Sequence, residues 1–223
     1  MKRKIPCFCE NTFEIEVPEE INLDSDSRYI DEIQNGAFMN YTCPSCGKKL
    51  KPEFPISILW PAKKLRFEVF PELDRGEFYR RKKAPDEKGP NKLETIIGYP
   101  ELAERLTVIR DGLDPTVVEA IKYFLHLKAE EQYPDDDIEI WYYSSNGTNG
   151  SNGTDASGGI AASLEFHIHG IREEEVAVTK VPLTLYKKYL DDYKKNPKGE
   201  LFSALRVRSY LSVKNTMRPE ELK

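Results

Sequence analysis

The sequence is poor in the residues that most often announce chemistry. It holds three histidines, three methionines, two tryptophans and four cysteines in 223 residues. No apolar run approaches the roughly 20 residues that span a bilayer, so no membrane-spanning segment is expected. Lys2, Arg3 and Lys4 open the chain without an apolar stretch behind them. That start does not read as a secretory signal, and a cytoplasmic home is expected. The phosphate-binding pattern Gly-x-x-x-x-Gly-Lys-Ser/Thr is missing, as are Gly-x-Gly-x-x-Gly, Gly-x-Ser-x-Gly and His-Glu-x-x-His. With them go the short arguments for an enzyme. A net charge of −5 and a pI near 5.5 argue against a general nucleic-acid coat.

What is present is an ordinary globular composition, with 39% hydrophobic and 32% charged residues. The chain is long enough to bury one large core or two small ones. Its four cysteines fall in two close pairs, Cys7-Phe8-Cys9 and Cys43-Pro44-Ser45-Cys46-Gly47. In a reducing compartment such pairs read as metal ligands before disulfides. Zinc takes four soft ligands in a tetrahedron, and thiolate turns supply them two at a time. Pro44 fixes φ, Gly47 tolerates a left-handed backbone, and Asn11 would supply that conformation in the first turn. With all four positions taken by protein, such a site is structural. The rivals are a redox dithiol, for which Cys43-x-x-Cys46 has the spacing but no βαβ context, and four unrelated buried thiols.

The surrounding pattern predicts mixed structure. Phe13, Ile15 and Val17 alternate with glutamates as in a half-buried strand, and a short helix is expected within 24–35. Leu50, Phe54, Ile56, Ile58 and Trp60 share a parity that Pro52 and Pro55 interrupt, and Leu65, Phe67 and Val69 follow as another strand. Arg80 to Asn91 reads as a linker. Leu102, Leu106 and Ile109 predict a helix closed by Asp111-Gly112. Asp114-Pro115 starts a second helix with Val118, Ile121, Phe124 and Leu125 on its buried face. Strands are expected at Ile138–Tyr143, Leu164–Ile168 and Val176–Val181, with a helix through Leu185, Tyr189 and Tyr193. A final strand is read from Leu205, Val207, Leu211 and Val213. The Ser/Asn/Gly/Thr tract from Ser144 to Gly159 reads as a mobile loop. Its triplets at Asn146, Asn149 and Asn152 fit the glycosylation pattern, but a flexible repeat is the expectation without a secretory signal.

Taken together, Cys7-Phe8-Cys9, the Phe13–Val17 strand and Tyr41-Thr42-Cys43-Pro44-Ser45-Cys46-Gly47 resemble the bacterial CpXC-domain proteins, over about residues 3–130. The first motif of that family usually reads Cys-Pro-Cys-Gly, whereas Phe8 and Glu10 stand here in place of proline and glycine. The resemblance implies a zinc-ribbon-like fold with Cys7, Cys9, Cys43 and Cys46 as ligands of one zinc. It implies no activity.

Two other constellations carry chemistry. His167 and His169 share a strand face with Glu165, and Asp135-Asp136-Asp137 could join them around a second metal in a metal-dependent enzyme. An exposed polar sheet face and a solvated acidic turn are the plainer readings. Lys2, Arg3, Lys4, Lys48, Lys49 and Lys51 gather near the cysteines, and Arg80-Arg81-Lys82-Lys83 lies beside Phe78 and Tyr79. Such rims contact nucleic acid in zinc ribbons, although Glu14, Glu16, Glu19 and Glu20 oppose that field here. The expectation is an α+β protein: a zinc-ribbon-like β domain over 1–79, a linker and helical pair over 80–134, and an antiparallel sheet with a covering helix over 135–223. Its expected role is a cytoplasmic, zinc-stapled binding or regulatory module with a protein partner. Nucleic-acid binding is the first alternative and the metal enzyme the second.

Overall fold

The computed structural model describes residues 1–81, 90–134, 136–146, 162–172 and 174–217. The tip of the expected linker, the Asn149 and Asn152 triplets with most of the 144–159 tract, and Asp135 lie outside the described residues. The elements run β1 (Lys2–Pro6), β2 (Thr12–Glu16), β3 (Glu20–Asn22), α1 (Arg28–Gln34), β4 (Tyr41–Thr42), β5 (Lys49–Leu50), β6 (Ile56–Trp60), β7 (Leu65–Phe70), α2 (Arg75–Arg80), β8 (Lys92–Ile97) and α3 (Tyr99–Arg110). They continue with α4 (Pro115–Gln132), β9 (Glu139–Asn146), β10 (Ser163–His169), β11 (Ala177–Pro182), α5 (Leu183–Lys195), α6 (Glu200–Ala204), β12 (Arg206–Val207) and β13 (Tyr210–Leu211). The fold class is α+β, as expected. None of the described helices is long and apolar enough to cross a membrane.

The chain packs as two compact units; it passes from the first to the second within α3, and Arg208–Tyr210 returns to the first. The first comprises Met1–Ala103 with Arg208–Tyr210. Its sheet pairs β3 with β6 in parallel, β6 with β7 antiparallel and β7 with β8 in parallel, and Tyr210 of β13 lies opposite Thr95 of β8. Ile56, Ile58, Phe67, Val69, Ile96 and Ile97 are all buried. β8 was hidden in the sequence because Lys92 and Glu94 interrupt its apolar residues. Glu94 is nonetheless buried and takes the Lys92 ammonium at 2.9 Å.

The second unit places α4 and α5 with the antiparallel sheet β9–β10–β11 around Val118, Ile121, Ile140, Tyr142, Leu164 and Phe166. The helix start at Asp114-Pro115 forms as read, with the Asp114 carboxylate accepting the Thr116 N–H at 2.8 Å. The expected final strand is instead two short strands. Arg208 turns the chain between them with φ of 56°, and side-chain parity does not report the sign of φ. At the end of β10 the backbone is crowded. A Cβ on Gly170 (φ 93°) would meet the Asp137 carbonyl oxygen at 2.0 Å, so only glycine fits.

α4 buries more than the one apolar stripe read from its sequence. Glu119, Lys122 and His126 are buried too, and so are Glu104 and Arg105 of α3. The Lys122 ammonium binds Glu104 at 2.7 Å and Glu119 at 3.4 Å, and the other Glu104 oxygen accepts the Tyr142 N–H at 2.6 Å. Glu119 also accepts the Val213 N–H at 2.8 Å, and Arg105 donates to the Leu211 carbonyl at 2.9 Å. The charges therefore fasten the C-terminal segment to the two helices.

Burial, reinforced by Lys122 and Lys214 and opposed by Glu119, brings the His126 imidazole down to about 4 from 6.5. The unfolded chain takes its proton near 6.5 and the folded chain only near 4, so this contribution is full above pH 6.5 and lost as the pH falls through 4. Stability of the wild type should drop more steeply between pH 7 and 4.5 than that of His126→Gln, by up to about 3 kcal/mol. Urea titrations at several pH values read the difference, and parallel slopes would refute the assignment.

Candidate metal centre

Two hairpins bring the cysteines together. β1 and β2 pair from Lys2↔Glu16 to Pro6↔Thr12, so Cys7 and Cys9 lie in the connecting turn. β4 and β5 pair as Tyr41↔Leu50 and Thr42↔Lys49, with Cys43 and Cys46 between them. β1 was missed in the sequence, where its lysines and arginine read only as charge. It is a strand with one buried residue, Ile5.

The two turns are built alike. In the first, the Cys7 N–H donates to the Asn11 carbonyl at 2.8 Å and the Glu10 N–H to the Cys7 carbonyl at 2.9 Å. In the second, Cys43 donates to Lys48 and Gly47 to Cys43, both at 2.9 Å. The left-handed residue is Gly47 (φ 72°) in one and Glu10 (φ 67°) in the other. The expectation for Asn11 is thus corrected: Glu10, the residue standing where the family has glycine, takes the left-handed conformation. Asn11 instead aims its side-chain N–H at the Cys43 sulfur, 3.8 Å away.

All four Sγ atoms lie within 4.8 Å of one another, with Cys7–Cys46 at 3.6 Å and Cys9–Cys43 at 3.7 Å. A disulfide needs about 2.05 Å, and all four thiols are free. A tetrahedron with metal–sulfur bonds of about 2.3 Å has edges of about 3.8 Å, so the spacing fits a metal at its centre. Cys7 and Cys43 are buried while Cys9 and Cys46 reach the surface.

Burial opposes ionisation of Cys43. The N–H groups of Cys46 and Ser45 and the Asn11 amide overcome it and bring the thiol down to about 6. For Cys46 the Lys48 N–H favours the thiolate. The Cys9, Cys7 and Cys43 sulfurs together with burial outweigh it and push the group up to about 11. The sulfurs thus compete for one charge, and a cation is what lets all of them ionise.

The other candidate residues do not assemble. Among the described residues, the four cysteines are the one group of three or more possible ligands close enough to hold a metal ion. His167 lies flat against the Tyr143 ring at 4.1 Å and contacts Glu165 at 3.2 Å, and His169 is exposed at the strand end. Asp136 and Asp137 do not complete a ligand set with them. The basic rim is partly neutralised, with Lys2 on Glu14 at 2.9 Å and Arg81 on Glu77 at 2.6 Å. Lys82 and Lys83 lie outside the described residues. What the sequence did not single out is Phe8, 85% exposed at the tip of the first turn, with the Lys48 ammonium 5.3 Å from its ring centre.

A family model described as CpXC protein matches residues 5–122. A protein of Treponema pallidum (strain Nichols), described as an uncharacterized protein, is 31% identical over 95% of this chain and 97% of its own length. No solved structure matches.

The turn geometry makes a paired prediction. Glu10→Gly should stabilise the purified protein by about 1 kcal/mol, because a left-handed conformation strains any residue with a Cβ. Gly47→Ala should destabilise it by a similar amount. No atom lies within 4 Å of the added methyl, so the cost would be conformational alone. Thermal unfolding of the two variants should move in opposite directions, and an unchanged or lower midpoint for Glu10→Gly would contradict the shared design.

Proposed function

This chain belongs to the CpXC protein family, and from that premise we propose a cytoplasmic, zinc-stapled module that works by binding another protein. The supporting observation is the sulfur cluster, whose four protein donors leave a tetrahedral ion no open position for a substrate. Its Sγ edges of 3.6 and 3.7 Å have the size a tetrahedral zinc takes. The metal in this reading holds β1–β2 to β4–β5 in a zinc-ribbon-like arrangement. Recognition is left to the surface they present, where Phe8 supplies an exposed aromatic anchor.

A second reading has one observation in its favour. Phe8 with Lys48 across its ring is an aromatic and basic pair of the kind that stacks on single-stranded nucleic acid. A salt-dependent shift with single-stranded RNA or DNA that Phe8→Ala abolishes would favour it. No shift at low salt would leave the protein partner.

The purified protein should carry one zinc per chain by elemental analysis. Absence of metal, with four thiols titrating freely, would sink the site. Cys43→Ser should raise hydrogen exchange throughout β1, β2, β4 and β5 while leaving α4 and β9–β11 protected. Zinc binding energies of about 10–16 kcal/mol become folding energy where the site does not preexist. Peptide-resolved exchange decides the matter, and unchanged protection at the hairpins would mean the cysteines clamp nothing.

A further inference from the structure

The first unit contains a cleft of about 340 Å³, mostly apolar, between α1 and the start of α3. Ile33, Phe38, Tyr99, Pro100 and Ala103 form its apolar wall. The wall is firm. The Phe38 ring meets Tyr99 edge-on at 5.0 Å and Tyr29 at 6.1 Å. The Tyr99 hydroxyl donates to the Phe54 carbonyl at 3.1 Å and accepts the Phe54 N–H at 2.9 Å.

Two charged side chains reach this cleft, and only one is committed elsewhere. Glu53 accepts the Tyr99 N–H with one oxygen at 2.7 Å and the Glu72 N–H with the other at 2.6 Å. It therefore caps the start of α3. Lys51 has no ion-pair or hydrogen-bond partner among the described residues. Its ammonium lies 3.7 Å from where a Cβ on Gly36 would stand, and Gly36 lines the same cleft. Glu53 keeps its charge but turns both oxygens to backbone N–H groups, so Lys51 is the charged group at the rim open to hydrogen-bond an anion carried on an apolar body.

We infer that this cleft binds a small apolar monocarboxylate, its carboxylate on Lys51 and its body against Phe38, Tyr99 and Ala103. At about 30 Å³ for each water displaced, the volume admits a molecule of roughly ten non-hydrogen atoms. A medium-chain fatty acid or an arylalkanoic acid has that size. The site stands apart from the cysteine cluster, and its assignment does not depend on which metal the sulfurs hold.

The test uses the full chain with its metal, titrated with 3-phenylpropionate, octanoate and uncharged 3-phenylpropionamide by calorimetry and ligand-observed NMR. Both acids should bind saturably with Kd of about 1 mM or tighter. The amide should bind at least about tenfold more weakly, the loss expected when a charge-assisted hydrogen bond is removed. Lys51→Gln should erase the preference for acid over amide, and Ala103→Leu should exclude all three probes. Unchanged zinc content and circular dichroism in both variants would show that the fold is intact. The inference falls if neither acid saturates, if the wild type binds acid and amide alike, or if folded Lys51→Gln keeps the preference.

Discussion

Four cysteines close enough to hold one metal ion are the point at which the amino-terminal hairpins meet, and little else in those hairpins holds them. β1 and β2 have five residues each and bury only Ile5 and Ile15. Fixing ten backbone residues costs about 10–20 kcal/mol. Two buried isoleucines return about 3–6 kcal/mol, and a structural zinc about 10–16 kcal/mol. On the proposed zinc reading the sum comes out near zero, and without a metal it does not. β4 and β5 have two residues each, so that hairpin leans on its cysteines still more.

The second unit is organised on a different principle. Its apolar cluster runs through α4, α5 and the β9–β11 sheet, yet Glu104, Arg105, Asp111, Glu119, Lys122 and His126 are buried in the same unit. Removing any one partner from Glu104, Glu119 and Lys122 would strand a buried charge, which typically costs about 3–5 kcal/mol. The arrangement also satisfies backbone groups that no helix or strand reaches, at Tyr142, Leu211 and Val213. The charges there tie strands and returning chain to the helix pair.

How much of this could be read from the residues depended on how local the signal was. The helix at Asp114-Pro115 was legible because an N-cap carboxylate and a proline act within one turn of each other. The antiparallel strands β9, β10 and β11 were legible because each alternates. β8 was not, since Glu94 is buried with Lys92 and mimics a solvated position. Arg208 and Glu10 were not, because a left-handed φ leaves no trace in residue type unless the residue is glycine. The four cysteines were legible from pairing and spacing alone. The role of Asn11 needed the opposing hairpin in place, since its sulfur partner is 32 residues away. The Lys51 cleft was illegible for the same reason, its walls coming from three separated stretches of chain.

These differences bear on where function resides. The family match begins at the first hairpin and runs to Lys122, well past the last cysteine. The matched span therefore covers the residues that line the apolar cleft and those around the buried Lys122 as well as the cysteine turns. A four-sulfur centre with Asn11 and backbone N–H groups directed at it is suited to being stable, and a stable centre does not itself discriminate among partners. Discrimination needs side chains left over after the fold is satisfied. Phe8, almost wholly exposed beside Lys48, and Lys51, beside Gly36 at an apolar hollow, are such side chains, and both lie in the unit that contains the four cysteines.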